Sequence, residues 1–335
     1  MSVIYGNPII AGGGGLELVA NVVDGATVTA TLGSKTVTGV SVGGQARLKI
    51  QQEGKWTVSA TSGTMVSAQQ EVSVPATVDL ALPSHVLNDT SWAIIKQMSD
   101  AGEGANFWAV GDCKEITMNG KVSSGLTFSN YTAFVYIIGF DHNSEREGTG
   151  IAFMGFKTEQ IDGKFVCLTD DHYGYDVYSG HYFNIYPQTG DYRTSLWSGC
   201  YMRNVVMPLI KAAFPTDLQA VVKTSSIYSE QISGNNITMA ALNEEVYLLA
   251  EYEVFGTRKY ATTSEPNFLK QYAYFAAGNS KVAYRHNYLF NKAQWWERSM
   301  CADDALKHCL VYESGSAGYT SNGTWSYGVA PCFKV

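Results

Sequence analysis

Residues 295–335 read WWERSMCADDALKHCLVYESGSAGYTSNGTWSYGVAPCFKV. Two adjacent tryptophans open the stretch, and an apolar, strand-like segment from Gly328 to Phe333 closes it. The run between them is polar and rich in Gly, Ser and Tyr, so it cannot form a core by itself. A rigid frame around an adaptable polar insert is how many binding surfaces are built. Trp295, Trp296 and the closing segment are expected to be frame, with Arg298 anchoring the insert through backbone carbonyls. The expected contact residues are Glu297, Asp303, Asp304, Lys307, His308, Tyr312, Tyr319, Ser321, Asn322, Trp325 and Tyr327. The competing reading of the same residues is an ordinary surface loop.

The 335 residues of the whole chain allow two domains. Charged residues make up 16% of the chain, below the ~25% usual for globular proteins. With 21 Tyr, this suggests β-rich structure and contact surfaces more than a metabolic enzyme. A net charge of −7 predicts no broad attraction to nucleic acid or to an anionic membrane. Met1–Tyr5 lacks the basic and apolar regions of an export signal, and no stretch approaches the ~20 apolar residues of a membrane span. The six cysteines show no CxxC spacing and are expected to be mostly buried thiols, although Cys301 and Cys309 lie close enough in sequence to pair locally.

Residues 1–15 read as an arm, apolar at first and ending in Gly12–Gly15. Residues 16–83 alternate with period two between Gly turns, which predicts an all-β N-terminal sandwich. Its Gly-Lys-Trp-Thr-Val-Ser-Ala segment is similar in style to immunoglobulin-like and carboxypeptidase-regulatory-like modules. Residues 84–335 are expected to form an α+β domain. A helix should start at Thr90 or Ser91, bury Trp92, Ile95 and Met98, and stop at Gly102. Phe107–Asp112 reads as a strand running into a turn. Thr132–Phe140 reads as a buried strand, with Ile151–Phe156 and Lys164–Leu168 as neighbours. Ser198–Ala213 should be helical, kinked or restarted at Pro208. Leu218–Lys223 and Val246–Phe255 read as strands or short helices. A third helix is expected from Ser264, through Pro266, to Gly278.

Several short motifs are weaker. Asp170, Asp171, His172 and His181 are possible metal ligands, but the spacing favours a polar loop. Asp141-His142 with Glu145 lacks an accompanying nucleophile and reads as a solvated hairpin loop. Glu265-Pro266-Asn267 matches the tripeptide of C-type lectins, but its position suggests the start of a helix. Gly12–Gly15 lacks the Lys-Ser/Thr of a phosphate loop. No metal or cofactor is expected.

Trp92–Ile95, Phe107–Asp112, Phe134–His142, Tyr252–Gly256, Trp295–Ser299, Val311-Tyr312, Gly315–Ala317 and Tyr327–Pro331 together resemble the DUF6273 family, over roughly residues 90–335. The family form of the terminal motif is close to Trp-Trp-Leu-Arg-Ser-Pro, from which Glu297 and Met300 depart. The layout is also similar in style to C-type-lectin-like domains, so the α+β domain is expected to be C-type-lectin-like. The resemblance implies a bacteriophage or prophage virion protein of the tail-fibre, baseplate or receptor-binding type. Such a protein is made in the host bacterial cytoplasm and binds a bacterial surface glycan or protein non-covalently. The arm and sandwich would attach it to other virion proteins as a homo-oligomer, with a trimer favoured. A capsid-attached head fibre or decoration protein without a dedicated receptor, and a carbohydrate-active enzyme, are the alternatives.

Overall fold

A computed structural model describes residues 15–63, 65–171, 173–174, 181–183, 196–233, 236–303, 307–320 and 323–335. The chain divides into two compact units between His85 and Val86. The expected arm lies outside the described residues, apart from Gly15. Much of the 170–195 loop, including His172, also lies outside them.

In the first unit, Leu16–Asn21 pairs antiparallel with Gln45–Ile50 and parallel with Ala76–Asp79. A second sheet runs Lys35–Val40, Thr27–Leu32, Lys55–Ser62, Met65–Val66, with Gln70–Ser73 also paired to Lys55–Ser62. Alternation sends one side chain in two inward. Leu18, Ala20, Val28, Ala30, Leu48, Trp56 and Val58 therefore form one apolar core between the sheets. Only two polar side chains, Ser41 and Ser67, are buried among the described residues of this unit. Each hydroxyl accepts from a backbone N–H, of Ala26 at 3.0 Å and Ala60 at 2.8 Å.

The second unit is built on a five-stranded antiparallel sheet in the order Val246–Tyr247, Cys332–Lys334, Ile151–Lys157, Leu126–Phe140, Cys113–Ser123. The C-terminal strand is interior to it, with Phe153 opposite Phe333 and Ala152 opposite Lys334. Phe333 stacks on Phe153 at 5.4 Å, and Trp92 meets Phe153 edge-on at 5.3 Å. Trp92 belongs to the helix Trp92–Asp100, which buries Trp92, Ile95 and Met98 and is capped by the Ser91 hydroxyl at 3.4 Å from the Ile94 N–H. Two further sheets have three strands each. The terminal sheet joins Trp295–Met300, His308–Val311 and Ala317–Thr320, all antiparallel. The aromatic hairpin pairs Ala283–Arg285 with Tyr288–Ala293, and Val166–Cys167 adds to it in parallel.

Three expectations change, and the helix restart expected at Pro208 is found. Gly104–Phe107 is a helical turn, and the strand begins at Cys113 instead of Phe107. The Asp112 carboxylate draws in the Ala109 N–H at 2.9 Å, and Gly111 takes φ +100, so the chain turns there. The 164–168 segment leaves the central sheet after one bridge to Lys157 and pairs with the hairpin. The 264–278 helix is two short helices, Glu265–Phe268 and Ala273–Ala276. Between them the Tyr272 N–H binds the Glu253 carbonyl at 3.0 Å and its ring enters the core. Ser264 provides no side-chain cap. In the 198–213 segment, a π-helical turn, Met202–Val206, precedes the α-helix Met207–Ala213. Pro208 occupies its first turn, where a missing N–H costs nothing.

Candidate functional site

The strand Trp295–Met300 is buried at every position. Both tryptophans are fully buried: Trp295 donates to the Lys281 carbonyl at 3.1 Å and Trp296 to the His181 carbonyl at 2.8 Å. A strand buried on both faces that carries Glu, Arg and Ser needs partners for them. Arg298 forms a two-pronged pair with Glu253, at 2.6 and 2.8 Å. It also donates to the carbonyls of Leu248 and Tyr228, at 2.8 and 2.9 Å. Arg298 therefore ties the strand to the 228–253 region, not to the polar insert that the sequence assigned it. Ser299 donates to the Glu265 carboxylate and accepts from the Glu251 N–H at 2.9 Å. Glu251 in turn gathers the N–H groups of Lys259, Tyr260 and Ala261 within 2.8–3.1 Å.

Further carboxyl groups surround this knot. Burial, then the neighbouring Glu230, pushes Glu265 well above the usual carboxyl range. Burial also raises Glu230. Glu297 is raised well above by burial, then by Glu251 and Glu265, and neither of its oxygens has a hydrogen-bond partner among the described residues. Burial thus favours the protonated form of each of these carboxyls more than it is favoured in an exposed glutamate.

A second buried group brings His142, Glu147 and Glu253 together with ligand atoms within 4.8 Å of one another. Its cation positions are already filled. Lys334 sits 3.0 Å from Glu147, Arg298 holds Glu253, and Asn143 donates to Glu147 at 2.9 Å. The donor set is therefore an internal ion cluster with ammonium and guanidinium where a metal would stand. Asp170 accepts from the Ser326 hydroxyl at 2.9 Å and from the His181 backbone N–H, which gives it a loop-fixing task. The Asp141 carboxylate accepts from the Gly150 N–H at 2.8 Å, and His142 is buried against Tyr272, with ring centroids 3.5 Å apart. The segment is the hairpin loop the sequence suggested, with Asp141, Glu145 and Arg146 exposed, but His142, Asn143 and Glu147 are buried. A surface groove of about 440 Å³ includes Glu244 and Glu245, but each is paired, with Arg203 at 2.5 Å and Lys211 at 2.6 Å.

Of the expected contact residues, Glu297 and His308 are fully buried, and His308 stacks on Phe183 at 4.1 Å. Both lie on strands whose two faces are covered, so neither side chain reaches the outer surface. Tyr327 is 6% exposed and packs against Trp296 at 5.0 Å, with half-buried Trp325 beside it at 6.2 Å. Asp304, Ser321 and Asn322 lie outside the described residues. Asp303, Lys307 and Tyr319 come together at the surface. Asp303 pairs with Lys307 at 3.0 Å, and the Lys307 ammonium lies 5.4 Å from the centroid of the Tyr319 ring, which is 39% exposed. Tyr312 supports them, its hydroxyl donating to the Tyr319 carbonyl at 3.2 Å. Its ring fits only because residue 318 is glycine: a Cβ there would sit 2.4 Å from the tyrosine Cζ.

The sequence reading missed two members of this patch. Tyr260 meets Tyr319 at 4.9 Å, and exposed Lys259 lies over the Tyr260 ring at 4.9 Å. They come from the segment that Glu251 folds into place, and no local motif marks that tertiary contact. Tyr260 rests on a small cluster of Ala261, Cys301 and Cys309. All six cysteines are buried free thiols, and the sulfurs of Cys301 and Cys309 are 3.8 Å apart.

Among known proteins, a family described as "Domain of unknown function (DUF6273)" matches residues 167–335. No curated protein and no solved structure matches the chain. The match starts at Cys167, so the motifs quoted from residues 92–95, 107–112 and 134–142 precede it. The Trp-Trp strand, its Arg298 knot and the surface around Tyr319 all fall inside it: the chain belongs to the DUF6273 family.

Proposed function

We propose that the chain is a bacteriophage or prophage virion protein of the tail-fibre, baseplate or receptor-binding type, and that its C-terminal unit holds a host cell-surface receptor non-covalently. The observation that carries this reading is the patch of Tyr260, Tyr319, Lys259, Lys307 and Asp303 at the terminal sheet, whose other two strands are fully buried. Tyrosines offer large amphipathic contact area at low entropic cost, and a rigid base keeps them preorganised. The carboxyls beneath are paired or pushed by burial toward their neutral forms, which fits a binding role better than acid–base catalysis. The N-terminal sandwich serves as an Ig-like attachment spacer, and the terminal strands with their polar insert follow a C-type-lectin-like layout. Several copies acting together raise avidity by about 10²–10⁴ over one weak site.

The test is the double variant Tyr260→Ala/Tyr319→Ala, with thermal unfolding as the check on folding. Particle adsorption to host cells should fall by about tenfold or more, the scale expected for aromatic anchors. Unchanged adsorption by a folded double variant overturns the reading in favour of a decoration protein without a receptor.

A further inference from the structure

The aromatic hairpin exposes five consecutive side chains, Tyr288–Lys292, on an edge strand. Phe290 is 85% exposed and Tyr288 54%, with their rings 6.0 Å apart. Beside them is a groove of about 400 Å³ lined by Tyr173, Arg285, Phe290, Asn291, Lys292 and Glu313. We propose that this groove binds a saccharide chain carrying carboxylate groups.

The lining has the parts such a ligand needs. The C–H face of a sugar ring is apolar and weakly positive, matching the negative face of an aromatic ring. Phe290 presents such a face to solvent. Arg285 is held in place, its guanidinium 4.8 Å from the centroid of the Tyr173 ring. Tyr173 is itself fixed, its hydroxyl accepting from the Gln294 N–H at 2.7 Å and its ring meeting Tyr327 at 6.3 Å. Arg285 lines the groove. A planar guanidinium matches a carboxylate. Lys292 adds a second positive charge to the lining. Lys164 stands nearby, donating to the Leu289 carbonyl at 3.2 Å and lying 6.0 Å from the Phe290 ring. Against one carboxylate, Glu313, this is a locally cationic groove on a chain of net charge −7. Asn291 and Glu313 supply the amide and acceptor groups that sugar hydroxyls pair with. The volume suits a short stretch of polymer more than a folded partner.

The groove shares no side chain with the Tyr260–Tyr319 patch and stands even if the receptor reading fails. The test measures binding of the full chain to polygalacturonate, alginate, hyaluronate and polysialic acid. Methyl-esterified polygalacturonate, dextran and dextran sulfate are the controls. At least one of the four acidic polymers should bind. If polygalacturonate is among them, its methyl ester should bind about tenfold more weakly, the scale of a lost charge-assisted bond. Phe290→Ala, at a position too exposed to affect folding, should weaken binding about tenfold, and Arg285→Gln by at least as much. Tyr319→Ala should leave it unchanged. No binding to any of the four polymers overturns the proposal. So does equal binding of dextran sulfate, which would mean charge alone, or unchanged affinity of the Phe290 variant. Dissociation of an oligomer by Phe290→Ala would reassign the hairpin to contact between copies.

Discussion

The two units bury different kinds of side chain. The unit ending at His85 has an apolar core with two hydrogen-bonded serines. The unit starting at Val86 also buries large aromatics, but threads seven glutamates through them: Glu147, Glu230, Glu244, Glu251, Glu253, Glu265 and Glu297. Arg298 and Lys334 are fully buried with them. An apolar core tolerates imprecise geometry, because its attraction is non-directional. A buried charged group is costly when its partner is missing, so such a core depends on directional pairing. The first design suits a spacer. The second holds the buried strand Trp295–Met300 through directional bonds, which is what the proposed binding face would require.

The largest test of this contrast is truncation. The family match covers residues 167–335, yet the central sheet takes three strands from residues 113–157. A fragment of 167–335 would lose Ile151–Lys157 beside its C-terminal strand, Phe153 and Trp92 against Phe333, and Glu147 as the partner of Lys334. The expectation is that residues 86–335 unfold cooperatively in urea, whereas 167–335 show no cooperative transition by circular dichroism. A cooperative transition in the shorter fragment would mean that the ion cluster is dispensable.

Next in size is Arg298→Met. Removing one member of a fully buried ion pair leaves Glu253 uncompensated and should cost about 3–5 kcal/mol. Urea unfolding should show the loss in the second unit alone. Trp56→Ala should destabilise the first unit by a similar ~3–5 kcal/mol through an empty core volume. The two variants differ in rescue. Adding Glu253→Gln to Arg298→Met should restore part of the loss, since the stranded charge is gone. Absence of any rescue would count against the charge argument.

How far the sequence reveals these differences depends on the range of the interaction. Period-two alternation marks the strands from Leu16 to Ile50, because each is decided by its own side chains. The helix at Trp92 is legible for the same reason, with its cap, apolar stripe and stop all local. The continuous apolar run Thr132–Phe140 also reads correctly. Glu297 and His308 are misleading, because charge suggests solvent and only the tertiary fold shows both faces of their strands covered. Tyr260 and Lys259 are silent for the opposite reason: Tyr260 reaches Tyr319, and Lys259 covers Tyr260, through a turn that Glu251 organises from eight to ten residues away. The break at Leu269–Tyr272 is likewise dictated from a distance, by the Glu253 carbonyl. The Phe290 hairpin is plain as a hairpin only once Ala283 and Ala293 are seen to pair.

The smallest effect concerns single protons, and it separates the two cores by pH. Glu230, Glu265 and Glu297 have raised pKa values in the folded chain, so the fold holds protons that the unfolded chain releases above about 4.3. Their contribution is complete below that pH and is lost as pH rises through the folded values. Burial moves the histidines the other way, His308 to about 3 and His142 and His181 to about 4. Theirs is complete above about 6.5 and is lost as pH falls toward the folded values. The second unit should therefore be most stable at an intermediate pH and weaken on both sides. The first unit, with no buried ionisable group among its described residues, should vary little from pH 5 to 9. Glu297→Gln keeps the shape and removes one proton from the alkaline side. Its melting temperature should exceed that of the parent at pH 9, and the difference should shrink toward pH 5. A variant whose deficit or gain is the same at both pH values would show that Glu297 is not the proton holder. The melting curve of the first unit in the same sample supplies the internal reference.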